Sequence, residues 1–292
     1  MLDVNFGLSK KLNFNETLTS VVYCEVRQKI FAAGDGFLTE YDILNDSSKI
    51  YNEFYNEYCI CLTHDKTRLV MGNWRGRLSI FDLNTNTTVS LDELLQEGYF
   101  YYLTISKNDQ YAASSGYSKF IHVLDLRTNK IIFRFLRNSS PDLKLLLFDS
   151  QDSHLISSYE CKYVSVWDLT SGEQMILGKH NFCIVNANMT ASRQKFVTFA
   201  KDGGLVWDGI NFLCLYRIPG HSLGVIGAVM DDKKEKLITS GEDNTIRFWD
   251  LHTKQETNFL PTIAKMTGLR IIYNKYIIGC NALNFFVFFY KA

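Results

Sequence analysis

Between His221 and Asp250 the chain runs in short stretches of alternating character. His221 to Met230 is mostly apolar, Asp231 to Glu235 is a charged turn, and Lys236 to Ser240 is a second apolar run. Glu242 to Asn244 forms a tight polar turn, after which Thr245, Ile246, Arg247, Phe248 and Trp249 alternate. Alternation with period two, in short runs bounded by Gly, Asp and Asn, predicts β-strands joined by hairpins. The pattern returns along the chain, each copy ending in an aromatic residue or Leu followed by Asp. The pairs are Tyr41-Asp42, Phe81-Asp82, Leu124-Asp125, Trp167-Asp168, Trp207-Asp208 and Trp249-Asp250, with successive aspartates 40, 43, 43, 40 and 42 residues apart. A degenerate copy ends at Phe289-Tyr290, a further 40 residues on.

That interval is the period of one four-stranded propeller blade. The predicted fold class is therefore all-β: a seven-bladed β-propeller, each blade a four-stranded antiparallel sheet, in one domain over 1–292. The blades fall at 17–54, 57–91, 99–136, 141–177, 180–218, 221–260 and 266–292. The last unit supplies three strands, and residues 1–14 belong to no repeat. The expectation is that 1–14 closes the last blade as its fourth strand, since closure removes open sheet edges. The alternative is a flexible leader beside an open last blade. A short helical turn is predicted over 90–98, ended by Gly98.

Gly220-His221, Thr239, Asp243 and Trp249-Asp250 resemble the signature of the WD-repeat family. The resemblance implies a hydrogen-bonded network of His, Thr or Ser, Asp and Trp within a blade. Its physical sense is that a buried His ring and a buried Trp N–H both need partners. His180, Thr198, Asp202 and Trp207 form a second full set. Elsewhere the match thins. Ser157 and Trp167 occur with Cys161 in the Asp position, and Ser114 and Ser118 occur with Leu124 for Trp. Arg75 occurs with Phe81, and Asp35 with Tyr41 and no clear His. Complete networks are expected in the fifth and sixth units alone.

Composition narrows the function classes. Hydrophobic residues make up 46% and aromatics 14%, enough for a buried core and against disorder. Lys plus Arg and Asp plus Glu are both 31, so the basic excess typical of phosphate binding is missing. No basic-then-apolar signal opens the chain and no apolar run approaches the ~20 residues of a membrane span. Seven scattered cysteines read as small buried side chains in a reducing compartment. The expected localisation is cytoplasmic, with nucleus and cilium left open. His64, His122, His154 and His252 show no metal-ligand spacing, and no nucleophile elbow, phosphate loop or dinucleotide fingerprint occurs. The repeated aspartates recur with the fold and read as structural. The reading is no enzyme, no catalytic residue, no metal and no cofactor.

The resemblance also implies that the turns between second and third strands share one face. They would present Trp74, Arg75 and Arg77, then Tyr117 and Lys119, then Tyr159 and Lys162, then Lys201. Trp, Tyr and Arg are enriched at interface hot spots. Trp74 leads, because nothing in the strand period asks for it to be buried; the alternative is that it folds back over its own blade. The expected function is a non-catalytic protein–protein interaction scaffold or adaptor that binds a peptide or domain, alone or within a larger complex. The alternative is a nucleic-acid or phosphate-ligand binder that uses the same cations, with Trp74 and Tyr117 stacking on bases. Zero net charge favours the first reading, and no membrane partner is expected.

Overall fold

The computed structural model describes residues 18–34, 37–54, 57–91, 100–117, 119–136, 143, 145–159, 162–190, 192–231, 235–262, 265–266, 268–272, 276–280 and 285–289, with backbone alone in the last three segments. Every regular element among them is a β-strand. The first sheet holds β1 (Leu18–Cys24), β2 (Lys29–Gly34), β3 (Leu38–Asp42) and β4 (Ser47–Tyr51). The second holds β5 (Glu57–Leu62), β6 (Arg68–Asn73), β7 (Leu78–Asp82) and β8 (Thr87–Leu91). The third holds β9 (Phe100–Ile105), β10 (Tyr111–Gly116), β11 (Phe120–Asp125) and β12 (Lys130–Leu136). The fourth holds β13 (Leu146–Phe148), β14 (His154–Tyr159), β15 (Tyr163–Asp168) and β16 (Gln174–Lys179). The fifth holds β17 (Ile184–Met189), β18 (Lys195–Ala200), β19 (Gly203–Asp208) and β20 (Cys214–Ile218). The sixth holds β21 (Val225–Asp231), β22 (Lys236–Gly241), β23 (Thr245–Asp250) and β24 (Gln255–Pro261). A three-stranded sheet follows, of β25 (Gly268–Ile272), β26 (Tyr276–Cys280) and β27 (Phe285–Phe289).

Strands pair in chain order, so each sheet is an antiparallel meander. The turn between second and third strands therefore lies at one end of a sheet, and the other two hairpins lie at the opposite end. The proposed closing segment 1–14 lies outside the described residues. Of the stretch 90–98, Ser90 and Leu91 finish β8 rather than opening a helical turn, and the remainder lies outside the described residues.

The recurring Asp has a local cause. In all six copies one carboxylate oxygen accepts the backbone N–H groups two and three residues on. Asp82 takes Asn84 and Thr85 at 2.8 and 2.9 Å, and Asp208 takes Ile210 and Asn211 at 2.8 and 2.9 Å. Asp42, Asp125, Asp168 and Asp250 repeat the arrangement. Four residues after each Asp the backbone turns left-handed, at Asp46, Asn86, Asn129, Gly172, Phe212 and Lys254. This is an Asp-capped hairpin, so the Asp recurs because the turn does. A register shift just before the bulky partner of Asp recurs at Val123/Leu124, Val206/Trp207 and Phe248/Trp249. Bulges of this kind raise strand twist.

The chain divides into two compact units. The larger comprises Asn13–Glu160 and Val166–Met175, and the other comprises Met1–Leu12, Cys161–Ser165 and Ile176–Ala292. In the larger unit adjacent sheets pack face to face through separate cores. Phe31, Leu38 and Tyr51 meet Leu69 and Phe81; Val70 and Leu78 meet Phe100 and Leu124; Val123 and Phe135 meet Phe148 and Trp167. In the other unit Val197, Phe199 and Val206 meet Leu237 and Trp249. Deleting one such buried ring typically costs about 3–5 kcal/mol.

Polar clasps recur at the same seams. The carbonyl after three of the Asp pairs takes a donor from the preceding sheet: Arg27 on Leu83 at 3.2 Å, Arg68 on Leu126 at 2.7 Å and Tyr216 on Leu251 at 2.7 Å. Asp109 accepts the backbone N–H groups of His64 and Asp65, at 2.7 and 2.8 Å. Asp152 does the same for Lys107 and Asn108, at 2.8 and 2.9 Å.

Among the cysteines, Cys24 and Cys59 are buried thiols, Cys61 is a half-buried thiol and Cys214 is an exposed one. Cys183 is disulfide-bonded. The expectation of uniformly buried, reduced cysteines is corrected at Cys183 and Cys214. Among the described residues no helix is long and apolar enough to cross a membrane.

Candidate functional site

Two relays of the same geometry sit in the fifth and sixth sheets. Trp207 on β19 donates its indole N–H to Thr198 Oγ1 on β18 at 2.9 Å, and Thr198 Oγ1 lies 2.9 Å from His180 Nε2. His180 Nδ1 lies 3.1 Å from Asp202 Oδ1. In the sixth sheet the distances are 2.8 Å from Trp249 to Thr239, 2.8 Å from Thr239 to His221 Nε2 and 2.8 Å from His221 Nδ1 to Asp243. Both His side chains have 0% exposure. Donor counting fixes the tautomer. The ionised Asp can only accept, so His Nδ1 carries the proton; with the ring neutral, Nε2 is bare and accepts the Thr O–H, while the Thr oxygen accepts from Trp.

Electrostatics agree with a neutral ring. Burial pushes His180 and His221 below the ordinary imidazole value and outweighs the opposing pull of Asp202 and Asp243. Burial alone would raise both Asp carboxyls. Backbone and side-chain donors outweigh it and hold them low: Asn181 and Arg217 at Asp202, Thr245 and His221 at Asp243. Arg217 reaches Asp202 at 3.2 Å and Arg247 reaches Asp243 at 3.3 Å, extending each relay by a cation that repeat reading did not single out. Arg247 also pairs with Glu256 at 2.9 Å.

Partial versions show what each missing residue removes. Trp167 donates to Ser157 Oγ at 2.8 Å in the fourth sheet. In the third, Leu124 stands in place of Trp, and the buried Ser114 Oγ has no hydrogen-bond partner among the described residues.

The family model described as WD domain, G-beta repeat matches residues 212–250, a stretch that contains all four members of the sixth-sheet relay. A 78-residue segment, 26% of this chain, is 32% identical to WD repeat-containing protein SL1-17 of Schistosoma mansoni and covers 26% of it. A 71-residue segment, 22% of this chain, is 36% identical to Cell division control protein 4 of Saccharomyces cerevisiae and covers 9% of it. Residues 212–250 thus match a WD repeat, and the chain is similar to WD-repeat proteins. It spans about a quarter or less of the length of these curated relatives. WD-repeat proteins generally act as protein-interaction scaffolds and are generally non-catalytic.

In this chain the surface that stands out lies on the second and third sheets. Buried Asn73 ends β6, and its Oδ1 accepts the backbone N–H groups of Arg75 and Arg77, each at 2.9 Å. This side-chain cap fixes the β6–β7 turn and leaves Trp74 45% exposed, with Arg75 exposed and Arg77 half-buried. Tyr117, in the β10–β11 turn, is 60% exposed, and Lys119 is exposed. The two turns are neighbours. Phe100 pairs with Gly116 in the third sheet, and a Cβ on Gly72 would come within 2.9 Å of Phe100 Cβ. Only glycine allows that approach, so β6 closes onto β9 just before Trp74 and beside Tyr117.

The remaining candidates are placed separately. Tyr159 ends β14, and its side chain lies outside the described residues. Lys162 and Lys201 are exposed and belong to the other compact unit. There the stem of Lys201 lies over Gly224, 3.6 Å from a Cβ built at that glycine. Phe182 and Leu223, at 49% and 56% exposure, stand in the segments entering β17 and β21 and had not been singled out. Their signal was faint, because one apolar residue in a loop breaks no pattern.

Proposed function

We propose that this chain is a non-catalytic adaptor that docks a protein partner on the turn surface carrying Trp74, Arg75, Arg77, Tyr117 and Lys119. The observation that carries the reading is the outward Trp74 held by the Asn73 cap beside an exposed Tyr117. An exposed Trp next to Arg combines large contact area with directional donors, the chemistry of an interface anchor. Tyr159 belongs to the same proposal as a contributor from the fourth sheet; Lys162 and Lys201, in the other unit, are proposed as partner contacts of that unit by itself. The proposal includes a ring of seven blades closed by residues 1–14, for which the 40-to-43-residue period and the family are the support. Cytoplasmic residence is proposed as well; the Cys183 disulfide weighs against it, and cell fractionation decides.

Affinity purification from the source cell, comparing wild type with a folded Trp74→Ala/Arg75→Glu variant, tests the docking surface. Partners should disappear from the variant alone. Recovery of the same proteins with both would reject the surface. Binding that falls steeply with salt and survives only with nucleic acid present would favour the phosphate-binding reading instead.

A further inference from the structure

The seam between the first and second sheets opens into a polar cleft of about 320 Å³, inside the larger compact unit. That volume is at the lower end of the roughly 300–1,000 Å³ of small-molecule sites, but its walls are charged rather than apolar. The cleft contains Arg27, Lys29, Lys49 and Asn86 with one carboxylate, Glu40. Both oxygens of Glu40 are committed: Oε1 pairs with Lys29 Nζ, and Oε2 accepts the Tyr51 O–H at 2.6 Å. Burial alone would raise Glu40, and these partners outweigh it and keep the carboxyl low. Lys29 and Glu40 thus cancel.

Against the single carboxylate, which also feels Lys49, the charged residues lining the cleft keep a net charge of two positive. Arg27 spends one N–H on Leu83 O and another on Asn84 Oδ1, leaving donors of its five-donor fork unspent. Lys49 Nζ lies 4.2 Å from the Tyr51 ring centroid, a contact that positions the ammonium and uses none of its N–H groups in hydrogen bonds. Asn86 adds an exposed amide from the β7–β8 turn. The cleft lies toward the hairpin end of the sheets opposite Trp74, so it is a separate site and stands or falls independently of the docking surface.

We propose that this cleft binds a dianionic oxyanion of the phosphate class, inorganic phosphate or a phosphate monoester, through Lys49, Arg27 and the Asn86 amide. A net charge of two positive matches a dianion. A guanidinium fork beside an ammonium suits a tetrahedral oxyanion with several acceptors better than a single carboxylate.

Isothermal titration tests it, with inorganic phosphate, glycerol 3-phosphate and a phosphoserine peptide as probes at fixed ionic strength. The proteins are wild type, Lys49→Glu and Lys49→Arg, each checked for an unchanged melting temperature. Lys49 is exposed on β4, so both variants should fold. At least one probe should bind wild type, about tenfold or more weaker to Lys49→Glu and close to wild type in Lys49→Arg, as removal of a charged contact predicts. Preference for the ester would point to a metabolite and preference for the peptide to a phosphorylated protein. No binding by any probe, or equal binding by Lys49→Glu, would overturn the proposal.

Discussion

Thr239 has a single hydroxyl with two duties, accepting from Trp249 and donating to His221. Thr239→Val keeps the shape and removes both, leaving a buried N–H and a buried ring nitrogen unmet. The expected loss is about 2–4 kcal/mol in the urea unfolding free energy, with Thr198→Val behaving alike. The relays also set an acid response. In the unfolded chain both histidines titrate near about 6.5, whereas burial holds the folded values lower. The unfolded state then binds more protons below that value, so stability should fall as pH drops through about 6.5. Asp202 and Asp243, held low, extend the loss in the same direction once pH falls through the ordinary carboxyl value. A His180→Asn/His221→Asn variant should show a flatter urea midpoint between about pH 5 and 7. An unchanged slope would mean that these rings are not the titrating groups. His, Thr, Asp and Trp of the relays were legible because they repeat at fixed offsets. Arg217 and Arg247 were not, since they enter from different strands, β20 and β23, and share no offset from their Asp.

The Asp-capped hairpin is the element that makes the repeat visible. Its fourth residue after Asp is left-handed in six copies, yet only Gly172 is glycine. A Cβ there would meet nothing closer than Phe133 Cε1 at 3.9 Å, so Gly172→Ala isolates the backbone term. The expected cost is about 1 kcal/mol, read from the melting transition, whereas Lys254→Gly relieves the same strain and should not lower stability. The clasps between neighbouring hairpins are a second element-scale feature. Asp109→Ala removes the acceptor for two backbone N–H groups of the second sheet and should cost about 1–2 kcal/mol. Cost near zero in an urea melt would show that water replaces the carboxylate. Strand alternation and turn residues made the sheets readable, because period two depends on local geometry. The clasps were hidden, because Asp109 and Asp152 look like ordinary turn residues until two sheets are side by side.

At the scale of the whole molecule, the repeat reaches from β1 to β27, and the adaptor reading asks that one set of turns meet a partner. The sequence left open whether Trp74 is exposed, because no strand period governs a turn; in the Asn73-capped turn it is 45% exposed. Ring closure makes its own demand. Removal of residues 1–14 should lower the melting temperature or cause aggregation, and unchanged stability would reject closure by that segment. The most direct test of the docking surface is site-specific photo-crosslinking in the source cell. A photoreactive phenylalanine at Tyr117 is compared with one at Leu44, a 76%-exposed residue in the β3–β4 hairpin at the other end of its sheet. The account predicts a discrete crosslinked protein from Tyr117, abolished by Trp74→Ala/Arg75→Glu, and none from Leu44. Crosslinks from Leu44 alone would contradict it.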